Sequence, residues 1–336
     1  METRILHPGP NDAGKRIDRI LRVFFPEAGL GALFAALRRG DVRVNGKKVG
    51  QNYRVGEKDL ISVKLIQPFF SREVPVRGRL STNLRPERMK FHILYEDENL
   101  LAINKPWGAL THGPHSLDEA VKAYLAPLLP PSLAFSPAPV HRLDRNTSGL
   151  IFFSKSIEGA RSFTAALRSG ETRKVYYALL EGRLDKAETW ADSLRRDAAG
   201  RTSRVVCPAR PEGLRGEATG NDKAALTEIR PLAATQAADS KLRPAAVCTL
   251  CEVIIHTGRT HQIRAQAAAH GHPLAGDSKY GGRPLPGAPH GGAYILHAAE
   301  LVLPPPADNH GSRAAPLIVR APLPEDVREF LERYTP

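Results

Sequence analysis

Cysteine is scarce in this sequence: three residues, Cys207, Cys248 and Cys251, in a chain of 336. So small and odd a number in a long chain argues against a disulfide framework and fits a reducing compartment. Cys248-Thr-Leu-Cys251 has the spacing of metal ligands, but residues 247–256 read as a strand, in which positions three apart face opposite sides. No second Cys/His pair completes a tetrahedral site, so no metal is expected and both thiols are read as buried and inert. Long apolar runs are missing too. Nothing approaches the ~20 residues that span a bilayer, and the N-terminus, Met-Glu-Thr-Arg-Ile-Leu-His-Pro, holds no apolar signal region. No membrane association is expected, and a cytoplasmic location is. The dinucleotide glycine fingerprint and the paired-histidine protease helix are both absent. Gly40 to Gly46-Lys47 has the outline of a phosphate loop, but five residues separate the glycines and Lys48 stands where Ser/Thr is needed.

Acidic residues are also in deficit. Asp and Glu number 35 against 48 Lys and Arg, a formal charge of +13. A protein this basic meets a polyanion, and nucleic acid is the commonest one. The excess is not evenly spread. Residues 14–65 hold twelve basic and five acidic side chains, so +7 of the +13 sits in about a sixth of the length. This segment reads as two short helices, with apolar residues at Ile17, Ile20, Leu21, Phe24 and Phe25 and then at Leu33, Phe34 and Leu37. A hairpin around Asn45-Gly46 and a closing strand follow. Arg38, Arg39, Arg43, Lys47 and Lys48 cluster at the helix end and hairpin, a footprint suited to phosphate.

Residues 66–90 carry three prolines and little periodicity and read as a linker. From Phe91 the pattern turns β-rich. Strands are expected at 93–96, 100–104, 149–154, 174–180, 224–229, 247–256 and 293–303, and helices at 117–128, 157–168, 260–270 and 324–334. Two stretches rich in Gly, Arg and Pro, 198–221 and 282–292, read as surface loops. The expected division is 14–65, a linker at 66–90 and a larger domain at 91–336.

Two segments carry chemistry. His141-Arg142-Leu143-Asp144-Arg145-Asn146-Thr147-Ser148-Gly149 sets one carboxylate between two arginines, ahead of a turn and a strand. Neighbouring cations favour the ionised form of a carboxylate, which can then act as nucleophile or base at a sugar carbon. A structural aspartate accepting turn hydrogen bonds fits the local sequence equally well. Thr257-Gly258-Arg259-Thr260-His261-Gln262-Ile263-Arg264 leads from a strand end into a helix, where the first turn can dock an anion. Arg264 is placed to pair with a carboxylate elsewhere.

His141–Gly149 resembles the signature of the RluA-type pseudouridine synthases. Four further segments agree in order: Lys105-Pro106-Trp107-Gly108, Lys174-Val175-Tyr176-Tyr177-Ala178, Gly258–Arg264 through Gly281, and Leu296-His297-Ala298. Residues 14–65 resemble an S4 RNA-binding domain. The resemblance implies an α+β fold: a mixed, mostly antiparallel sheet of pseudouridine synthase type with flanking helices, preceded by a small S4-like α/β unit. It implies that Asp144 is the catalytic aspartate, that Tyr176 stacks on the target base and assists removal of the C5 proton, and that Arg264 pairs with Asp144. Arg142 falls where the family contacts RNA. Gln266 departs from the histidine that many members carry there. The implied reaction is isomerisation of uridine in structured RNA, most directly large-subunit ribosomal RNA, by a monomer that needs no cofactor. Three other readings compete: a transfer RNA enzyme, a nucleobase glycosidase, and a catalytically silent ribosome-assembly protein. Glycosidases often use paired carboxylates, and here only Asp144 sits in a signature.

Overall fold

The structure, a computed structural model, describes residues 2–65, 91–197, 202–208, 222–235, 247–305 and 315–334. The expected linker at 66–90 and most of the expected loop at 198–221 lie outside the described residues.

The N-terminal unit comprises β1 (Glu2–Leu6), α1 (Ile17–Phe24), α2 (Leu30–Arg39), β2 (Val42–Val44), β3 (Lys47–Lys48) and β4 (Ile61–Leu65). Its sheet runs β1-β4-β2-β3, entirely antiparallel. Asn45 takes the left-handed conformation, φ 50°, that a tight hairpin turn needs. The apolar faces of both helices close on Val42, Ile61 and Val63 to form one core. The sheet begins before Gly14, because β1 pairs with β4. Sequence periodicity missed β1, a five-residue edge strand with polar residues at three of its positions, Glu2, Thr3 and Arg4.

The larger part forms an eleven-stranded sheet. In chain order its elements are β5 (His92–Glu96), β6 (Leu100–Lys105), α3 (Leu117–Leu125), β7 (Ala138–Pro139), β8 (Ser148–Ser154), α4 (Ile157–Ser169), β9 (Arg173–Glu181), β10 (Glu188–Asp197), β11 (Thr202–Pro208), β12 (Lys223–Thr235), β13 (Cys248–Ile255), α5 (Gln262–Ala269), the single turn α6 (Pro289–Gly292), β14 (Leu296–Leu303), β15 (Leu317–Arg320) and α7 (Glu325–Tyr334). The main path is β11-β10-β12-β13-β9-β14-β8-β6-β5, with β15 on β14 and β7 on β8. Every pairing is antiparallel except β8 with β14. The expected mixed, mostly antiparallel sheet with flanking helices is what the chain forms. One expectation is corrected: part of the stretch read as a loop, Thr202–Pro208, is a strand pairing with β10.

The parallel pair is tight. Gly149 has φ +106°, and a Cβ there would stand 2.2 Å from the Ala298 carbonyl oxygen. Only glycine lets the start of β8 approach β14 this closely, and the loop that ends there carries Asp144. Cys248 and Cys251, both buried, fall into different core clusters, Cys248 beside Phe330 and Cys251 beside Trp190. The strand alternation that spoke against a shared metal is realised. Among the described residues no helix is long and apolar enough to cross a membrane.

Candidate active site

The loop before β8 is fixed from below. Lys105, fully buried at the end of β6, donates from Nζ to the carbonyls of Pro106 (3.2 Å), Arg145 (3.0 Å) and Thr147 (2.7 Å). Thr111 donates to the Leu143 carbonyl at 2.9 Å, and the Thr147 amide closes a turn onto the Asp144 carbonyl at 3.1 Å. Burial pushes the Lys105 ammonium down to about 8, with Asp144 pulling the other way. The backbone on both sides of Asp144 is therefore held, while its side chain, 18% exposed, reaches a cavity of about 320 Å³.

Four of the residues singled out in the sequence, Asp144, Tyr176, Arg264 and Arg142, line this one cavity. Arg38, Arg39, Arg43, Lys47 and Lys48 do not; they are exposed on the N-terminal unit. There Arg39 pairs with Asp41 at 2.8 Å, and Arg43 donates to the Gly40 and Gly46 carbonyls.

Tyr176 lies on β9, half-buried between two core clusters. Burial, and then Asp144, push its phenol well above the ordinary range, so at neutral pH it is a protonated ring. Arg264, in the first turn of α5, makes a bidentate pair with Asp277, Nε to Oδ2 at 2.7 Å and Nη2 to Oδ1 at 2.8 Å. Its Nη1 lies 3.5 Å from Asp144 Oδ2. The guanidinium is packed between the rings of Tyr280 (4.8 Å) and Tyr294 (4.6 Å). Burial alone would weaken its charge, but the Asp277 hydrogen bonds reverse that and hold it protonated.

His261 precedes α5 in a left-handed conformation, φ 53°. That backbone turn aims its Nε2 at Asp144 Oδ2, 3.6 Å away, while Nδ1 meets the Tyr280 hydroxyl at 2.9 Å. Burial lowers its pKa, against the pull of Asp144. Burial also pushes Tyr294 up to about 12. His141, which also lines the cavity, is pushed down to about 4 by burial and then by Lys174. It is a neutral acceptor for the Phe152 amide at 3.0 Å and stacks on Phe163.

Helix α5 is anchored by a buried chain of amides. Thr227 donates to Gln266 Oε1 at 2.7 Å, and Gln266 Nε2 donates to Asp192 at 2.7 Å and to the Trp190 carbonyl at 3.1 Å. Gln266 thus ties the helix to β10 and β12 and is not part of the cavity wall.

Sequence reasoning had not singled out Asp277, His261, Tyr280, Tyr294, Lys105 or Lys174 for these positions. Lys105, Lys174, His261, Asp277 and Tyr280 were visible only as members of the motif segments, with no role of their own. The convergence of Asp277 and Tyr280 on Arg264 depends on a turn that brings positions 13 and 16 residues apart onto one guanidinium.

Comparison with known proteins supports one assignment. The family described as RNA pseudouridylate synthase matches residues 99–269, a span holding Lys105, Asp144, Tyr176 and Arg264. The ribosomal large subunit pseudouridine synthase C of Vibrio cholerae serotype O1 is 32% identical over 81% of this chain and 78% of its own. Those of Vibrio vulnificus and Escherichia coli are each 29% identical, over 95% and 96% of this chain and 93% and 94% of theirs. Among solved structures, human RNA pseudouridylate synthase domain containing 1 is 23% identical with a TM-score of 0.53, covering 74% of this chain and 89% of its own. Human RNA pseudouridylate synthase domain containing 4 is 20% identical with a TM-score of 0.54, covering 72% and 92%. The two human structures share the fold. With half the chain matched by the family and most of its length by the bacterial relatives, the chain belongs to the RNA pseudouridylate synthase family, isomerases that convert uridine to pseudouridine in RNA.

Proposed function

We propose that this chain isomerises one or a few uridines of large-subunit ribosomal RNA, with Asp144 as the catalytic carboxylate. The supporting observation is the placing of that carboxylate: on a pinned loop, reaching an open cavity, 3.5 Å from a permanently charged guanidinium. The names of the bacterial relatives support the choice of RNA.

The reaction breaks the C1′–N1 bond, turns the uracil and joins C5 to C1′. One proton leaves C5 and one is gained at N1, so nothing is oxidised and no group is transferred. A uridine stacked in a helix cannot reach Asp144, so the nucleotide must flip into the cavity at a cost of a few kcal/mol. Asp144 then attacks C1′ or removes a sugar proton. Tyr176 offers its ring to the uracil. Its protonated state favours stacking over service as a phenolate base. Arg264, oriented by Asp277 and two tyrosines, steadies the negative charge at Asp144.

The N-terminal unit, S4-like over 14–65, would capture structured RNA through Arg38, Arg39, Arg43, Lys47 and Lys48, and Arg142 would meet RNA at the cavity mouth. Residues 91–336 would hold the chemistry. The chain would work as a monomer, and the few cysteines favour the cytoplasm.

The test is pseudouridine mapping of total cellular RNA from cells carrying the unaltered chain or Asp144→Asn. The expected result is loss of one or a few sites in large-subunit ribosomal RNA, while the purified variant still binds that RNA. Loss in transfer RNA instead would move the substrate. An unchanged map would remove Asp144 from the chemistry.

A further inference from the structure

Besides Arg264, the cavity lining holds three cations, Lys174, Arg142 and Arg259, that pair with no carboxylate among the described residues. Lys174 and Tyr176 both line the cavity and lie two residues apart on β9, hence on one face and ~6.6 Å apart. Lys174 is half-buried, and among the described residues no carboxylate forms an ion pair with it. A Cβ on Gly258 would stand 3.9 Å from its Nζ, so the ammonium faces the turn that leads into α5. Arg259, on that turn, and Arg142, on the Asp144 loop, line the same cavity. Arg259 spends its Nε on the Ala224 carbonyl at 3.0 Å, and among the described residues neither arginine pairs with a carboxylate. The crowding is felt: burial and then Arg259 lower the Lys174 pKa, and the Lys174 charge reaches His141.

Lys174 is half-buried while Arg142 and Arg259 are exposed, and three cations brought to one cavity lining repel one another unless an anion joins them. Arg264 shows the paired case in the same cavity, neutralised by Asp277. An anion that arrives with the substrate would serve Lys174 in the same way, and the anion of RNA is its phosphate.

We propose that Lys174, flanked by Arg142 and Arg259, seats a phosphate next to the flipped uridine, inside the cavity. This rests on reading the cavity as the site of uridine isomerisation. A uracil stacked on Tyr176 with its sugar at Asp144 brings the phosphates that flank that sugar to the same cavity, whose lining includes Lys174. The contact positions the nucleotide and takes no part in bond making. It differs from the contacts of the N-terminal unit, which hold RNA without reference to which base has flipped.

The experiment uses the full-length chain and a ligated fragment of large-subunit ribosomal RNA that contains the mapped uridine. One RNA is natural, and two carry a neutral methylphosphonate on the 5′ or the 3′ side of that uridine. On natural RNA, Lys174→Met should lower kcat/KM by about 10-fold or more, the scale of a lost charged hydrogen bond. Lys174→Arg should restore most of it. The slope of log affinity against log salt should shrink by about 0.7, one single-strand phosphate contact. One of the two methylphosphonates should cost the unaltered chain a similar factor and cost Lys174→Met nothing more. Losses that multiply at both positions, or an unchanged salt slope, would overturn the phosphate seat while the isomerase reading stands. Failure of the unaltered chain to convert the natural RNA would remove the isomerase reading and the seat with it.

Discussion

Burial decides the protonation of two histidines, and the consequence is measurable. His297 is 1% exposed. Its Nε2 faces the Ala321 carbonyl at 3.1 Å, so that nitrogen carries the hydrogen and Nδ1 accepts from the Ser148 hydroxyl at 2.9 Å. Burial pushes the ring from 6.5 down to about 4, against the pull of the Ala321 carbonyl. Between those values the unfolded chain binds a proton that the folded chain refuses. The His297 share of stability is therefore complete above pH 6.5 and is lost as pH falls toward 4. A depression of this size corresponds to about 3 kcal/mol. Urea unfolding at pH 7.5 and pH 4.5 tests it: the unaltered chain should lose more stability on acidification than His297→Gln by about that amount. An equal loss would take His297 out of the acid response. His141, also pushed down to about 4, should leave His297→Gln some acid sensitivity. At this scale the meeting of Asp144, Tyr176 and Arg264 in one cavity was anticipated because each sits in a contiguous motif. The hydrogen bonds that set the state of His297 come from positions 149 and 24 residues away.

The Asp144 loop owes its shape to the end of another element. Lys105 closes β6, and its three carbonyl acceptors include two that lie 40 and 42 residues further on. Lys105→Met keeps the length and apolar stem but leaves those carbonyls unmet. The expected cost is about 2–4 kcal/mol. Because the loop carries the proposed catalytic carboxylate, Asp144, turnover should fall well beyond the change in RNA affinity, measured by single-turnover conversion beside a binding titration. A lower Tm with full turnover would mean that the Thr111 and Arg145 bonds hold the loop unaided. The strands through the centre of the sheet were readable because their apolar runs are unbroken, as in β8, where all seven residues are buried. The hairpin β10–β11 was not. β10 alternates correctly, but its inward positions are Trp190, Asp192 and Leu194, and a buried aspartate hides the period. Asp192 is affordable there only because Gln266 and His270 reach it across the fold. The same distance explains why Gln266 looked like a departure in the sequence and proves to be a fastening.

At the scale of the whole molecule, the docking of the basic N-terminal unit centres on one buried side chain. Asp12, fully buried, accepts from the Ser132 hydroxyl (2.7 Å), the amides of Leu133 (2.7 Å) and Ala134 (3.0 Å), and the Gly9 amide (2.9 Å). Asn11 accepts from the Ile157 amide at 3.0 Å, and Leu133 and Ala134 pack against the N-terminal core. Gly9 permits the contact, since a Cβ there would stand 2.1 Å from the Pro131 carbonyl oxygen. None of this was legible beforehand, because Asp12 precedes the periodic segment and its partners lie 120 residues later. Docking has a functional corollary. Two phosphate-binding surfaces held at a fixed separation act as one multivalent site, and the gain disappears when the connection becomes slack. Asp12→Ala strands four donors and should weaken the interface by about 2–4 kcal/mol. Its cavity is untouched, so conversion of a short hairpin bearing the target uridine should keep its kcat/KM. Conversion of a large ribosomal RNA fragment that spans both surfaces should lose affinity severalfold, with KM rising and kcat kept. Parallel small-angle scattering should show a larger radius of gyration for the variant. Equal losses on both RNAs would mean that Asp12 supports the cavity itself. No loss on either would mean that the N-terminal unit binds RNA independently of where it is docked.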